Sequence, residues 1–401
     1  MENNTKLRIL VITNLFPNHK ESNKGVFMKQ ALLEMVKLSY LEVIAPVPWF
    51  PRILKSFSYR GLNSDILREE AVDGIKTYHP RWLVIPKIGR VLYGFYFFLS
   101  ILPLCKRIQR KSNFDVIYSP WVYPDGFASV LIAKVLKRPV ILHALGCDVN
   151  QYTKFFLRRQ LIKWSLRHAD LVISVSHAIR IKMLGLGVPE GKIRVIANGI
   201  DKNLFKPLNQ QECRKKTGLD INEKIILFVG SLEAVKGIEF LISSFHLLKQ
   251  KYAKNVKLVI IGKGSLEDEI KKQIEYLELQ KNIMMVGEVK HDNIPNWMNA
   301  SDVFCLPSIR EGMPNVILEA LACGKTVVAT TVGGIPEIIT DPKLGVLVPP
   351  ESAEYLCNAF IDILNFPVSN ITRCQHKSVI SWAEHAKLLL SQIQSTCLKQ
   401  D

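Results

Sequence analysis

Apolar residues in this chain come in unbroken runs rather than in alternation with polar ones. Leu7–Thr13, Leu41–Val47, Phe114–Ser119, Val140–Ala144, Leu171–Val175 and Ile193–Ala197 are such runs in the first half. Helical periodicity fills several intervals between them, at Val26–Leu38, Gly126–Leu136 and Phe155–Arg167. A strand without a polar face is covered on both sides, so this rhythm predicts a parallel sheet between layers of helices. The rhythm then restarts. Ile225–Val229, Lys257–Ile261, Ile283–Val286, Val303–Leu306, Thr326–Ala329 and Val346–Val348 read as strands, with helices at Gly237–Lys249, Leu266–Leu277 and Val316–Ala322. Two such series, joined around Asn198–Pro207, predict an α/β protein of two facing Rossmann-like, doubly wound domains. The expected division is residues 1–197, residues 198–370, and a terminal piece, 371–401, whose amphipathic helix Ser381–Gln394 packs back toward the first domain. Ligands of such sheets lie beyond the carboxyl ends of the strands, which predicts a site in a cleft between the domains.

A length of 401 residues agrees with two cores. Charge adds something the apolar pattern does not. The net +17 is lopsided: residues 1–200 hold 30 Lys and Arg against 13 Asp and Glu, and the rest hold 23 against 23. One half therefore carries the whole imbalance, which points to an anionic partner or to a solvated basic surface. The eight cysteines form no C-x-x-C pair, and Cys305 and Cys323 sit in apolar runs, as reduced buried thiols do. The N-terminal MENNTKLRILVIT reads as a strand rather than a signal peptide. Val91–Cys105 is uncharged but shorter than the ~20 residues of a spanning helix. It reads as a core helix or as one lying in a bilayer interface beside Lys106, Arg107, Arg110 and Lys111.

Chemistry concentrates after the strands. Arg310-Glu311-Gly312-Met313-Pro314-Asn315-Val316 leads from a strand into a helix that carries Glu319. Gly312 and Pro314 suit a tight turn, and the peptide N–H groups at Met313–Val316 suit a diphosphate at the helix start. Glu311 and Glu319 would then accept hydrogen bonds from sugar and ribose hydroxyls, or would simply form salt bridges. Gly230 and Ser231 end another strand, and Lys236 stands before the next helix, placed to neutralise phosphate or merely exposed. Gly262 opens a further strand–glycine turn, in a G-x-G too short for a dinucleotide fingerprint. In the first half, Gly25 follows the first strand, and His143 and Asp148 surround Gly146. The latter two are candidates for polar contacts at a reacting sugar, although a strand-borne histidine in an apolar run is equally a core residue.

These segments together resemble the family 4 glycosyltransferases of the GT-B fold, over nearly the whole chain and most specifically over Val195–Pro350. Bacterial enzymes of cell-surface polysaccharide synthesis, including the teichuronic-acid type, are the nearest in character. The family's E-x7-E motif matches Glu311 and Glu319, and its glycine–lysine donor segment matches Gly230 and Lys236. Ala197-Asn198-Gly199-Ile200-Asp201, Leu321-Ala322-Cys323-Gly324 and Gly333-Gly334-Ile335-Pro336-Glu337 resemble further signatures. Two positions depart. Ser231 stands where the family often has arginine, and Leu145 precedes Gly146 where the family has histidine, leaving His143 two places early.

The resemblance implies a retaining, metal-independent hexosyl transfer from a nucleoside-diphosphate sugar to a glycan or lipid-linked acceptor. The first domain would be the acceptor side and the second the donor side. Catalytic roles would fall to Glu311, His143 and Asp148. Donor binding would fall to Gly25, Gly230, Ser231, Lys236, Gly262, Gly312, Met313, Pro314, Asn315, Val316 and Glu319. No metal and no cofactor are expected, the nucleotide sugar being a substrate, and no D-x-D triplet is present. Nor is nucleic acid an expected partner. Charge and family together place the protein in the cytoplasm, peripherally on the anionic inner face of the membrane. The rival readings are a nucleotide-sugar epimerase on the same fold and a non-catalytic sugar-nucleotide-binding subunit.

Overall fold

The computed structural model describes residues 6–49, 65–84, 89–252, 255–366, 374 and 376–398. They form two compact units: Met1–Asn198 with Trp382–Asp401, and Gly199–Ser381. The whole charge imbalance therefore belongs to the first unit. The expected boundary at residue 370 lies outside the described residues.

In unit 1 the unbroken apolar runs become buried strands. These are β1 (Arg8–Ile12), β2 (Tyr40–Ile44), β3 (Val47–Trp49), β4 (Glu69–Val72), β5 (Ile75–Tyr78), β6 (Arg81–Leu83), β7 (Val116–Pro120), β8 (Val140–Ala144), β9 (Leu171–Ser174) and β10 (Ile193–Val195). Eight of them form one sheet in the order β10-β9-β8-β7-β1-β2-β5-β4, while β3 pairs with β6. All neighbours in the large sheet are parallel except β4 and β5, a hairpin closed by Asp73 and Gly74, both at positive φ. Ile9 stands opposite Leu41 on one side and Val116 on the other. The order reverses between β1 and β7, and there the carboxyl ends open a crevice. The helices are α1 (Val26–Leu38), α2 (Tyr93–Ser112), α3 (Phe127–Leu136), the short α4 (Cys147–Asn150), α5 (Phe156–His168) and α6 (His177–Gly185).

Unit 2 repeats the plan. Strands β11 (Lys224–Val229), β12 (Val256–Ile261), β13 (Ile283–Gly287), β14 (Val303–Leu306), β15 (Thr326–Thr330) and β16 (Gly345–Val348) alternate with helices. Those helices are α7 (Gln210–Thr217), α8 (Ile238–Lys251), α9 (Glu267–Tyr276), α10 (Ile294–Ala300), α11 (Asn315–Ala322), α12 (Ile335–Ile338) and α13 (Ala353–Asn365). The sheet is wholly parallel, in the order β13-β12-β11-β14-β15-β16, and reverses between β11 and β14. Both central strands are buried along nearly their whole length.

The last helix, α14 (Trp382–Cys397), belongs to unit 1. It buries Trp382, His385, Ala386, Leu389, Leu390 and Ile393 and packs on α1, where Trp382 Nε1 donates to Gln30 Oε1 at 2.8 Å.

Among the described residues no helix is long and apolar enough to cross a membrane. The run Val91–Cys105 is not a wholly buried helix. It begins α2, which continues through the basic residues to Ser112 and buries only one side, with Phe97, Ile101, Cys105 and Ile108.

Candidate functional site

The sheet of unit 2 decides which of the expected donor-binding residues meet. β11 and β14 are neighbours although far apart in sequence, so the loops that leave their carboxyl ends run side by side. Ile309 N donates to Val235 O at 2.9 Å and ties the two loops together. Lys236 is thereby brought to Glu311: Nζ lies 2.6 Å from Oε1, and Ser308 Oγ donates to the same oxygen at 2.7 Å. Both charged side chains are mostly buried, which strengthens their pairing relative to an exposed ion pair.

The Glu311 turn continues through Gly312, Met313 and Pro314 into Asn315 and Val316 of α11, and Gly230 follows β11 at the start of the loop that carries Lys236. Pro314 caps α11, which begins at Asn315, so the positive end of the helix dipole opens onto the Glu311 turn. Gly230 N donates to Ile261 O at 3.0 Å, and the next strand's turn then presses on it: a Cβ on Gly262 would lie 1.8 Å from Gly230 O. With φ at +142°, Gly262 is a position for glycine on both steric and conformational grounds. Ser231 is exposed at the mouth of the same turn.

Glu319 lies along α11 and is held by a residue the sequence reading did not single out. His291 Nε2–H donates to Glu319 Oε1 at 3.0 Å, and the imidazole ring meets Phe205 edge-on at 5.1 Å. Burial disfavours the charged ring, but the Glu319 hydrogen bond and charge outweigh it and hold the His291 pKa above its ordinary value. Nothing local could have revealed this partner, which stands 28 positions away on another connection.

The expected residues of unit 1 fare differently. Gly25 caps α1 after the β1 loop, on the carboxyl side of the sheet. His143 is a core residue. It is 1 % exposed, its Nδ1 accepts from Tyr118 Oη at 2.6 Å, and its ring stacks on His385 of α14 at 6.2 Å. Burial, with His385 adding to it, pushes its pKa down to about 3, so the ring is neutral. Its side chain contributes to the seat of α14, and its Nε2 has no partner among the described residues. Asp148 is wholly buried. Oδ1 accepts from Gly146 N and Val149 N at 2.8 and 3.1 Å, and Oδ2 from Val122 N and Leu145 N at 3.0 and 3.3 Å. A carboxyl group so engaged fixes the β7 and β8 loops to each other.

Asp125 was also missed. It is fully buried beyond β7, and its Oδ2 accepts from Asn14 N at 2.6 Å across the crevice between β1 and β7, while Oδ1 has no partner among the described residues. Burial, opposed by the Asn14 amide, pushes its pKa up to about 8. An unfolded aspartate titrates near ~3.9. From about pH 4 to about pH 8 the unfolded chain is therefore charged where the folded one is neutral, and stability falls as pH rises through that window. Asp125→Asn removes this slope. Urea denaturation at pH 5 and pH 8 is expected to show the variant gaining on the wild type by a few kcal/mol at the higher pH, on the order of 3. Parallel pH profiles would mean that Asp125 is already ionised in the fold.

Two family profiles match the chain. "Glycosyl transferases group 1" matches residues 209–376, and "Glycosyltransferase Family 4" matches residues 76–204. The chain is 26% identical over 377 residues to a putative teichuronic acid biosynthesis glycosyltransferase of Bacillus subtilis, covering 93% of this chain and 90% of the relative. It is 26% identical over 291 residues to an Escherichia coli UDP-Gal:alpha-D-GlcNAc-diphosphoundecaprenol alpha-1,3-galactosyltransferase, covering 70% of this chain and 74% of that one. Among solved structures, the sucrose-phosphate synthase of Thermosynechococcus elongatus superposes with a TM-score of 0.78 at 20% identity, covering 99% of this chain and all of the other.

Proposed function

We propose, for a chain that belongs to the family 4 glycosyltransferases and has their GT-B fold, that it moves a hexose from a nucleoside-diphosphate sugar to a saccharide or lipid-linked acceptor, with retention at the anomeric carbon and without a metal. The observation that carries this reading is the Lys236–Glu311 pair at the point where the unit 2 sheet reverses, beside the start of α11. A cation and a helix start suit the two phosphates of the donor. A carboxylate beside them accepts from sugar hydroxyls, and Glu319, oriented by His291, accepts from the ribose. As the bond from the anomeric carbon to the diphosphate oxygen breaks, charge grows on that oxygen and is met by Lys236 and the peptide N–H groups at the start of α11. The acceptor oxygen bonds to the same face of the carbon, and its proton passes to the departing diphosphate. Ser231 leaves Lys236 with more of the diphosphate charge than in relatives with arginine at that position.

The Escherichia coli relative takes UDP-galactose and a polyprenyl-diphosphate-linked sugar, which supports a uridine nucleotide as donor and a lipid-linked acceptor here. The basic excess of unit 1 supports a peripheral place at an anionic membrane surface. Incubating the protein with radiolabelled nucleotide sugars and a bacterial membrane extract is expected to label a product whose new linkage keeps the donor's anomeric configuration. Excess EDTA is expected to leave the rate unchanged, and its abolition of transfer would overturn the metal-free chemistry. Conversion of the donor alone would instead identify an epimerase, and donor binding without turnover a non-catalytic subunit.

A further inference from the structure

The outward side of α2 changes character along its length. Leu92, just before the helix, and Phe95 and Leu99 within it recur at helical spacing and are exposed, Leu99 at 64%. Past Pro103 the same side continues as Lys106, Arg107, Arg110 and Lys111, which with Pro103 line a groove of about 550 Å³. A second helix start repeats the combination in fewer residues. Phe155, Phe156 and Leu157 open α5 and are 58%, 62% and 57% exposed, because the inward side of that helix is supplied by Ile162, Ser165 and Leu166. The Arg158 guanidinium lies 4.8 Å over the Phe155 ring, and that of Arg159 lies 5.7 Å over Phe156.

Helices α2 and α5 pack on one floor. Phe95 meets Phe127 of α3 edge-on at 4.8 Å, and Phe127 meets Trp164 of α5 at 5.4 Å. Tyr123 packs on the same Phe127, and its Oη donates to Val91 O at 2.6 Å, at the head of α2. Arg158, at the start of α5, lies close enough to Tyr123 for its charge to act on that phenol, so Tyr123 relates the start of α5 to the head of α2. Along the two helices and their flanks the charge has a single sign. Residues 89–114 contain five Lys and Arg and no acid, and residues 149–169 likewise contain five and none. The aromatic residues Trp82 and Phe97, which in sequence look equally available to a membrane, are buried and take no part.

We propose that the starts of α2 and α5 form a docking face for an anionic bilayer, with Leu92, Phe95, Leu99, Phe155, Phe156 and Leu157 entering the headgroup boundary. This rests on the peripheral-membrane reading above and names its surface. Exposed large apolar residues in a cluster mark an interaction site. The charge decides between occupants: helices that carry only basic charges complement lipid phosphates, and arginines stacked on the inserting rings can keep their heads at that level. The basic second half of α2 would lie along the same surface.

Flotation of the full-length protein with phosphatidylcholine vesicles, with and without phosphatidylglycerol, tests this. The wild type is expected to bind only the anionic vesicles and to release at high salt. The triple variant Phe155→Ser, Phe156→Ser, Leu157→Ser is expected to lower partitioning by about tenfold or more, and Leu99→Ser by about threefold. Tyr276→Ser, at an 86% exposed position of unit 2, is expected to change nothing. An unchanged melting temperature shows that the variants fold. Wild-type partitioning by the triple variant would overturn the docking face and leave peripheral attachment standing. No vesicle binding by the wild type would overturn both. A dimer in vesicle-free buffer that the triple substitution dissociates would make a second copy the occupant, and the proposal would fall. Sugar transfer to a short water-soluble acceptor, measured without vesicles, is expected to survive the triple substitution, so failure of the transferase reading shows separately.

Discussion

Glu311→Ala is expected to lower kcat by about 100-fold or more while leaving the donor KM little changed. Glu311 Oε1 gathers Lys236 Nζ at 2.6 Å and Ser308 Oγ at 2.7 Å, so the carboxylate is already oriented at the head of the proposed donor site. In the proposed reaction its partner is the sugar whose anomeric bond breaks. Losing a preorganised charged hydrogen-bonding group at a reacting centre costs about 3 kcal/mol of barrier, or roughly two decades in rate. The ion pair adds a second expectation. Truncating Glu311 releases Lys236, so the variant is expected to bind free nucleoside diphosphate at least as tightly as the wild type. Steady-state kinetics and calorimetric titration with the nucleoside diphosphate read the two quantities separately. A loss confined to donor KM, with weaker diphosphate binding, would move Glu311 from the sugar to the nucleotide.

Gly333→Ala is expected to damage both stability and turnover although residue 333 carries no chemistry. At φ +57° it holds a conformation that an L-residue adopts at about 1–2 kcal/mol. Its ideal Cβ would also lie 2.2 Å from Glu311 O, and Gly334 N donates to Gly312 O at 2.8 Å. The turn after β15 is thus pressed against the backbone of the Glu311 turn, and neither side is a flexible side chain that can yield. Strain and displacement together are expected to destabilise unit 2 by about 3 kcal/mol, or roughly 5–10 °C in Tm, with kcat falling as Glu311 is pushed away. Gly287→Ala is the control. It has φ +81° but nothing within 4 Å of a Cβ, so only the backbone strain remains. Equal losses in the two variants would refute the close approach.

The apolar pattern alone determined the class of fold, since β7, β8, β9, β14 and β15 are wholly buried and such strands have no polar face to disguise them. Helices α3, α5, α8, α9 and α11 fall within a few residues of the expected bounds for the same reason: their period is local information. The hairpin of β4 and β5 escaped because its strands are only four residues long and β4 has no buried position, with Asp73-Gly74 as the one local sign. Residues such as Glu311, Glu319 and Lys236 were legible as candidates, because polar groups at strand and helix ends stand out against apolar runs.

Tertiary structure decided their partners and everything that depends on them. Lys236 meets Glu311 only because β11 and β14 are adjacent, and His291 meets Glu319 only because α11 lies against the residues before α10. The same packing took His143 and Asp148 into the core, and it buried Phe97 while leaving Phe95 outside. Sequence periodicity reports which side of an element is apolar. Whether that side is covered, and whether a polar group spends its hydrogen bonds on the backbone or keeps them for a ligand, is settled by which other element arrives there, and those contacts join residues too far apart for a local pattern to encode.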